Sequence, residues 1–384
     1  MHEAVQKYVD LNILSGASSV VIKDNEIVDV KMWGQMDIEN GKAMLPDTIF
    51  RIFSNTKIIV SAAAMILYEK GLFELDDPIE KYIPAFKNLT VLKKGSDDPS
   101  KTEPLNRAPT IRQLMCHNAG FSYGIFMESP VDGLYLEQNV LNADSTLEQM
   151  VENLATIPLA NHPGVRWQYS VSVDVLGRLI EIWSGQSLDQ YLQESIFTPL
   201  GMIDTGFFVP PENHHRLAAN YVPVNPLEPM QGGLQLEPDN AIGGTTTPKK
   251  FLSGGGGLVS TLGDYTTFIR MLIGKGEFNG VRILKPETVK LMHTNQLPDG
   301  LGLVLPSWPM ENTGFGIGLA VKSAPGQGEP EAATGEYHWG GLAGTHSWVS
   351  PDSGIAGIIF TQRLPGFFHP FSHDFKRLVY EALA

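Results

Sequence analysis

Ser54 and Lys57 stand three residues apart, where the short stretch 50–53 gives way to a long apolar run. Residues i and i+3 of a helix share a face, with Cβ atoms about 5–6 Å apart, so the amine can reach the hydroxyl. A serine hydroxyl attacks poorly until a base takes its proton. Lysine can be that base where burial or nearby positive charge favours its neutral form. The start of a helix adds free backbone N–H groups and positive potential, both favourable to an oxyanion. Serine is also an ordinary helix N-cap, and S-x-x-K tetrads arise by chance. Context favours chemistry here. The run containing Ile58, Ala62, Met65 and Ile66 is apolar nearly all round, and a lysine buried in it needs a reason.

Other residues compete for the same role. Gln168-Tyr169-Ser170-Val171-Ser172 follows Pro163-Gly164 and leads into a helix, so Tyr169 is either a core aromatic or a proton carrier. Gly120-Phe121-Ser122-Tyr123-Gly124 matches G-x-S-x-G, an elbow that requires a strand before it and a helix after it. A helical segment, 110–115, precedes it instead, so Ser122 is expected to be a loop serine near the site mouth. His214, His215, His338 and His346 lack metal-ligand spacing and read as loop and sheet histidines. The run Ser253-Gly254-Gly255-Gly256-Gly257 has no following G-K-[ST] and reads as a tight turn. Cys116, beside His117, reads as a small buried residue.

The elements that position these residues follow from periodicity. A helix is expected to about Asn12, then a hairpin over 20–30 around Asp24-Asn25. The Ser54 helix runs to a glycine stop at Gly71. Helical patterns follow at 110–115, 147–154, 173–183 and 188–196, with a Pro/Gly-rich irregular stretch from 210 to 257. After a helix at 262–273, strands are expected at 316–322, 346–349 and 355–361, and a last helix at 372–383. Strands at both ends with helices between them make an α+β pattern in which the termini complete one sheet. The expected units are an α/β part from 1–75 and 265–384 and an inserted, mainly helical part from 76–264.

Composition narrows the function classes. The 384 residues carry 28 Lys and Arg against 42 Asp and Glu, a net charge of -14, which disfavours nucleic acid as a partner. Cys116 is the only cysteine, so no intrachain disulfide forms. No stretch approaches about 18 apolar residues, so no membrane span is expected. The first residues lack a basic region followed by an apolar one, and the expected location is cytoplasmic. No cofactor motif is present, and the pattern specifies no oligomeric state.

Taken together, these segments resemble the serine β-lactamase-related superfamily, which holds family VIII carboxylesterases, class C β-lactamases and D-Ala-D-Ala carboxypeptidases. The likeness rests on Phe53-Ser54-Asn55-Thr56-Lys57, on 71–79 (GLFELDDPI), on 110–120 (TIRQLMCHNAG), on 197–202 (FTPLGM) and on 255–261 (GGGLVST). It runs from about residue 20 to the C-terminus. It implies a β-lactamase/transpeptidase-like fold, mostly antiparallel sheet flanked by helices with an inserted helical subdomain. It further implies Ser54 as nucleophile, with Lys57 and Tyr169 as general bases.

The family's K-T-G segment is matched by Tyr337-His338-Trp339-Gly340-Gly341-Leu342. Either His338 or Trp339 takes the lysine's place. The resemblance implies an oxyanion hole from the N–H groups of Ser54 and Leu342, with Gly341 as alternative donor, and an acyl pocket walled by Tyr123 and Phe126. Two departures matter: Val171 stands where the family has Asn, and the K-T-G lysine is missing. Both losses favour neutral small-molecule esters over penicillins or D-Ala peptides. The expected activity is therefore a serine carboxylesterase working through an acyl-enzyme. A β-lactamase, a D-amino-acid peptidase or an acyltransferase on the same site is the alternative.

Overall fold

The computed structural model describes residues 1–237, 244–305, 308–327, 329–367 and 369–383. After helix α1 (His2–Asp10), strands β1 (Gly16–Lys23) and β2 (Glu26–Asp37) form a hairpin longer than 20–30. Its turn, Asp24-Asn25, holds both residues at positive φ, 51° and 65°. That conformation suits the twist of a tight hairpin, and Asn and Asp tolerate it. The short β3 (Lys42–Ala43) continues the meander. The hairpin outruns the apolar pattern because β2 is largely exposed and so admits polar residues: Asp29 meets His2 of α1 at 2.9 Å, and Lys31 is exposed.

Five C-terminal strands complete the sheet: β4 (Thr313–Phe315), β5 (Ala320–Lys322), β6 (Tyr337–Gly341), β7 (Thr345–Ser350) and β8 (Ile355–Phe360). The spatial order is β4-β5-β6-β7-β8-β1-β2-β3, with every neighbour antiparallel. β1 pairs with β8, so the first and last strands of the chain lie side by side. The single strand expected at 316–322 is instead a hairpin. Gly316 N–H donates to the Leu319 carbonyl, and Gly318 has φ +79°. A Cβ at Gly318 would stand 2.1 Å from Ser61 Oγ, so the turn packs against the nucleophile helix.

Strand alternation divides the sheet into two faces. Val20, Ile22, Ile358 and Phe360 face α2 (Thr56–Glu69) and its neighbours, which include α3 (Ser172–Ser184) and α4 (Leu262–Ile273). Val21, Trp33, Trp348 and Ile359 face α1 and α5 (Phe371–Leu383). The helix expected at 188–196 is α-helical only over Leu188–Leu192 and widens into a π-helical turn over Gln193–Phe197. Ser195 Oγ donates 2.5 Å to the Tyr191 carbonyl there. Among the described residues no helix is long and apolar enough to cross a membrane.

The face under α5 carries buried charge and imidazoles. Lys376 Nζ reaches Glu336 Oε1 at 2.9 Å and Glu329 Oε1 at 3.3 Å, and Lys322 also pairs with Glu329. Tyr380 Oη donates to Glu336 Oε2 at 2.7 Å. His338, His346 and His373 gather beside them, with ring centroids 5.5–5.7 Å apart along the series. Burial, then the adjacent cations, push His338 and His346 well below the ordinary imidazole value and His373 down to about 3.

The fold therefore holds these rings neutral, whereas the unfolded chain takes up protons below about pH 6.5. Their contribution is fully present above that pH and is lost as pH falls, at up to about 1.4 kcal/mol per pH unit per histidine. The melting temperature is expected to drop steadily from pH 6.5 to 4.5, and H373Q to lessen that drop. An unchanged pH slope in H373Q would contradict this account.

Candidate active site

The nucleophile turn is built by strain and clamping. Ile49–Arg51 pairs with Val259–Thr261, which fixes the entering chain. Phe53 then takes φ +43°, a backbone conformation that costs an ordinary side chain about 1–2 kcal/mol. Ser54 lies in the single 3-10 turn Phe53–Asn55, and α2 proper begins at Thr56, two residues later than the S-x-x-K reading implies. The strain is held in place by the sheet. Asn55 Nδ2 donates to the Thr345 carbonyl at 3.2 Å, and Thr345 Oγ1 donates to the Ile52 carbonyl at 3.1 Å. A Cβ at Gly341 would stand 2.4 Å from the Ile52 carbonyl oxygen, so β6 reaches the nucleophile turn only with glycine there.

Lys57 is fully buried on α2. Its Nζ donates to the Gly255 carbonyl at 2.6 Å and to Ser54 Oγ at 3.2 Å, and lies 4.5 Å from the centre of the Tyr169 ring. Tyr169 Oη donates to Ser54 Oγ at 2.7 Å and accepts from Trp339 Nε1 at 3.3 Å. The serine hydroxyl thus meets the lysine amine and the tyrosine phenol together.

Tyr169 is itself fixed by rings on several sides. Tyr123 stacks on it at 5.4 Å, Trp339 tilts against it at 5.4 Å, and His117 lies 4.8 Å away. The stretch before α3 is tied down by Gln168 N–H to the His117 carbonyl and Val171 N–H to the Ser122 carbonyl. His117 Nδ1 meets Ser170 Oγ at 3.0 Å, and burial with the nearby Lys57 charge keeps its imidazole neutral.

Ser54 and Tyr169 open onto a cavity of about 390 Å³ whose walls include Tyr123, Phe126, Phe251, Trp339 and Phe367. Gly340 and Leu342 border the same cavity, and the Leu342 carbonyl accepts from Gly366 N–H at 2.7 Å.

Three expectations need correction. His338 is not at this site: it faces the buried cluster under α5, because neighbours on a strand point to opposite faces. Trp339 occupies the inner position. Val171 is buried and does not border the cavity, its role being the backbone bond to Ser122. Ser122 is no mouth residue but sealed in structure: its Oγ bonds Asp132 Oδ1 and accepts from Gln168 Nε2 at 2.8 Å.

Sequence reasoning missed Asn55, Asp174 and the Gly255 carbonyl as neighbours of the reacting groups. An acid between Val173 and Val175 on an apolar helix was the available signal for Asp174.

The β-lactamase family model matches residues 2–381. This chain belongs to the β-lactamase family. Esterase EstB of Burkholderia gladioli is 31% identical over 363 residues, covering 91% of this chain and 86% of that protein. Monacolin J acid methylbutanoyltransferase of Aspergillus terreus is 27% identical over 353 residues, covering 88% and 82%. Among solved structures, EstCE1, described as a hydrolase with promiscuous acyltransferase activity, superposes with a TM-score of 0.81 at 24% identity, covering 100% of this chain and 97% of its own. The fold is therefore β-lactamase/transpeptidase-like, and the chain is a hydrolase of this family with an esterase among its relatives.

Two variants separate the serines and test the tyrosine's support. S122A removes a partner from the buried Asp132 carboxylate, so it is expected to lose about 1–3 kcal/mol of stability in denaturant titration. Its ester turnover per folded molecule should stay within a factor of about two of wild type. W339F deletes the bond to Tyr169 Oη and is expected to lower kcat roughly five-fold, the worth of about 1 kcal/mol. A dead but stable S122A would move the nucleophile.

Proposed function

We propose that the protein is a serine carboxylesterase of family VIII type, hydrolysing small neutral esters through an acyl-enzyme on Ser54. The observation that carries this reading is the convergence of Lys57 Nζ and Tyr169 Oη on Ser54 Oγ at the edge of an aromatic cavity. The pair takes the Ser54 proton as Oγ attacks the ester carbonyl carbon. The backbone N–H groups of Ser54 and Leu342 receive the oxyanion. The intermediate collapses, the C–O bond to the alcohol breaks, and the alcohol leaves with the proton. Water then attacks the acyl carbon and gives a proton to the same pair; the bond to Ser54 Oγ breaks, Oγ takes that proton back, and the acid leaves.

Neutral esters are favoured because the cavity walls are mainly apolar and the inner position of β6 holds Trp339 rather than a cation, Lys249 being the cationic side chain that borders the cavity elsewhere. The single buried cysteine supports a reducing compartment, and we place the activity in the cytoplasm. A second reading, acyl transfer to an alcohol instead of water, is favoured by the relative named a methylbutanoyltransferase.

The test is the initial rate on p-nitrophenyl butyrate for wild type and S54A. S54A is expected to fold and to lose about 10³-fold or more in kcat. Wild type should hydrolyse this ester far faster than a chromogenic cephalosporin. Added short-chain alcohol should yield mainly free acid, and mainly transesterified product would favour the second reading. Retained activity in S54A would overturn the assignment of the nucleophile.

A further inference from the structure

Asp174 is a carboxylate sealed inside the protein to which the mechanism above gives no task. It lies in the first turn of α3. Its Oδ1 accepts from Ser253 Oγ at 2.5 Å and from Gly255 N–H at 3.0 Å, while Oδ2 has no hydrogen-bond partner among the described residues. Gly255 then passes the contact on, since its carbonyl accepts from Lys57 Nζ at 2.6 Å. The turn presses so closely on α3 that a Cβ at Gly255 would stand 2.4 Å from Asp174 Oδ2, and one at Gly254 2.5 Å from the Val173 carbonyl. The run of glycines is what permits that approach.

Among the described residues, the titratable groups facing Lys57 are the Tyr169 and Tyr123 rings, 4.5 and 5.4 Å from Nζ, the neutral His117, and Asp174. Asp174 is the one acid in that set. Burial pushes its carboxyl up, and the Lys57 charge pulls it back.

We propose that Asp174 is a positioning residue for Lys57, holding the Gly255 carbonyl against the amine and supplying the buried negative charge that balances the ammonium. The inference rests on the reading of Lys57 as a base. When the Ser54 proton moves to Lys57, a cation forms where water cannot solvate it. A fixed carboxylate nearby lowers the cost of that transfer. No bond to Asp174 forms or breaks.

D174N separates the two roles, because an amide oxygen still accepts from Ser253 and Gly255 while the charge is gone. With p-nitrophenyl butyrate, D174N is expected to lower the plateau kcat about ten-fold with KM within a factor of about two. D174N removes a buried negative charge beside the groups that take the Ser54 proton, so the acidic limb of kcat/KM should move down by about half a pH unit or more. S253A keeps the charge and loosens the turn, so it should lower kcat with the limb in place. D174N with wild-type kcat and limb would overturn the proposal, as would a lowered kcat with an unmoved limb, the mark of a merely structural residue. An active S54A would instead remove the reading on which the inference stands. An inactive S54A beside a wild-type-like D174N removes only the inference.

Discussion

A lysine nitrogen with no access to water must find its partners inside the protein or give up its charge, and Lys57 is in that position. The structure around it answers that demand from three sides. The Gly255 carbonyl takes one bond, Ser54 Oγ takes another, and the faces of Tyr169 and Tyr123 lie within cation–π range. The glycine run at 254–257, the helix carrying Asp174 and the aromatic packing behind Tyr169 are each placed where the amine needs them. The same partners that make its burial tolerable also aim it at the serine.

The sheet contributes a second constraint. β6 approaches the nucleophile turn so closely that only glycine fits at 341, and its neighbour β7 clamps Asn55 and Ile52 through Thr345. This contact ties the C-terminal half of the chain to the N-terminal nucleophile. It also sets the side-chain alternation that sends Trp339 into the site and His338 to the far face. One strand thus serves two environments: an aromatic cavity on one side and a buried ion network on the other.

The two environments differ in electrostatic character. The cavity beside Ser54 has mainly apolar walls, with Lys249 on its border, and at its edge Lys57 Nζ and Tyr169 Oη meet Ser54 Oγ. The far face packs lysines, glutamates and neutral histidines between the sheet and α5. Removing one member of such a network leaves its partner buried and unpaired, which costs more than the pair contributes. That asymmetry binds the terminal helix to the fold.

The sequence by itself determined the pairing of Ser54 with Lys57, because helical spacing is a local property. It also determined the α+β class, since strand-like runs lie at both ends of the chain, and it showed that the Ser54 helix is buried, from its nearly uniform apolar surface. Tertiary structure decided what depends on distant segments meeting. Tyr169 reaches Ser54 across 115 positions of sequence, and Gly255 reaches Lys57 across 198. No local pattern encodes either distance. Ser122 carries a nucleophile motif in its sequence, yet Asp132 and Gln168 fold over it and leave it structural. Strand register then chose between His338 and Trp339, because adjacent side chains on a strand cannot face the same way.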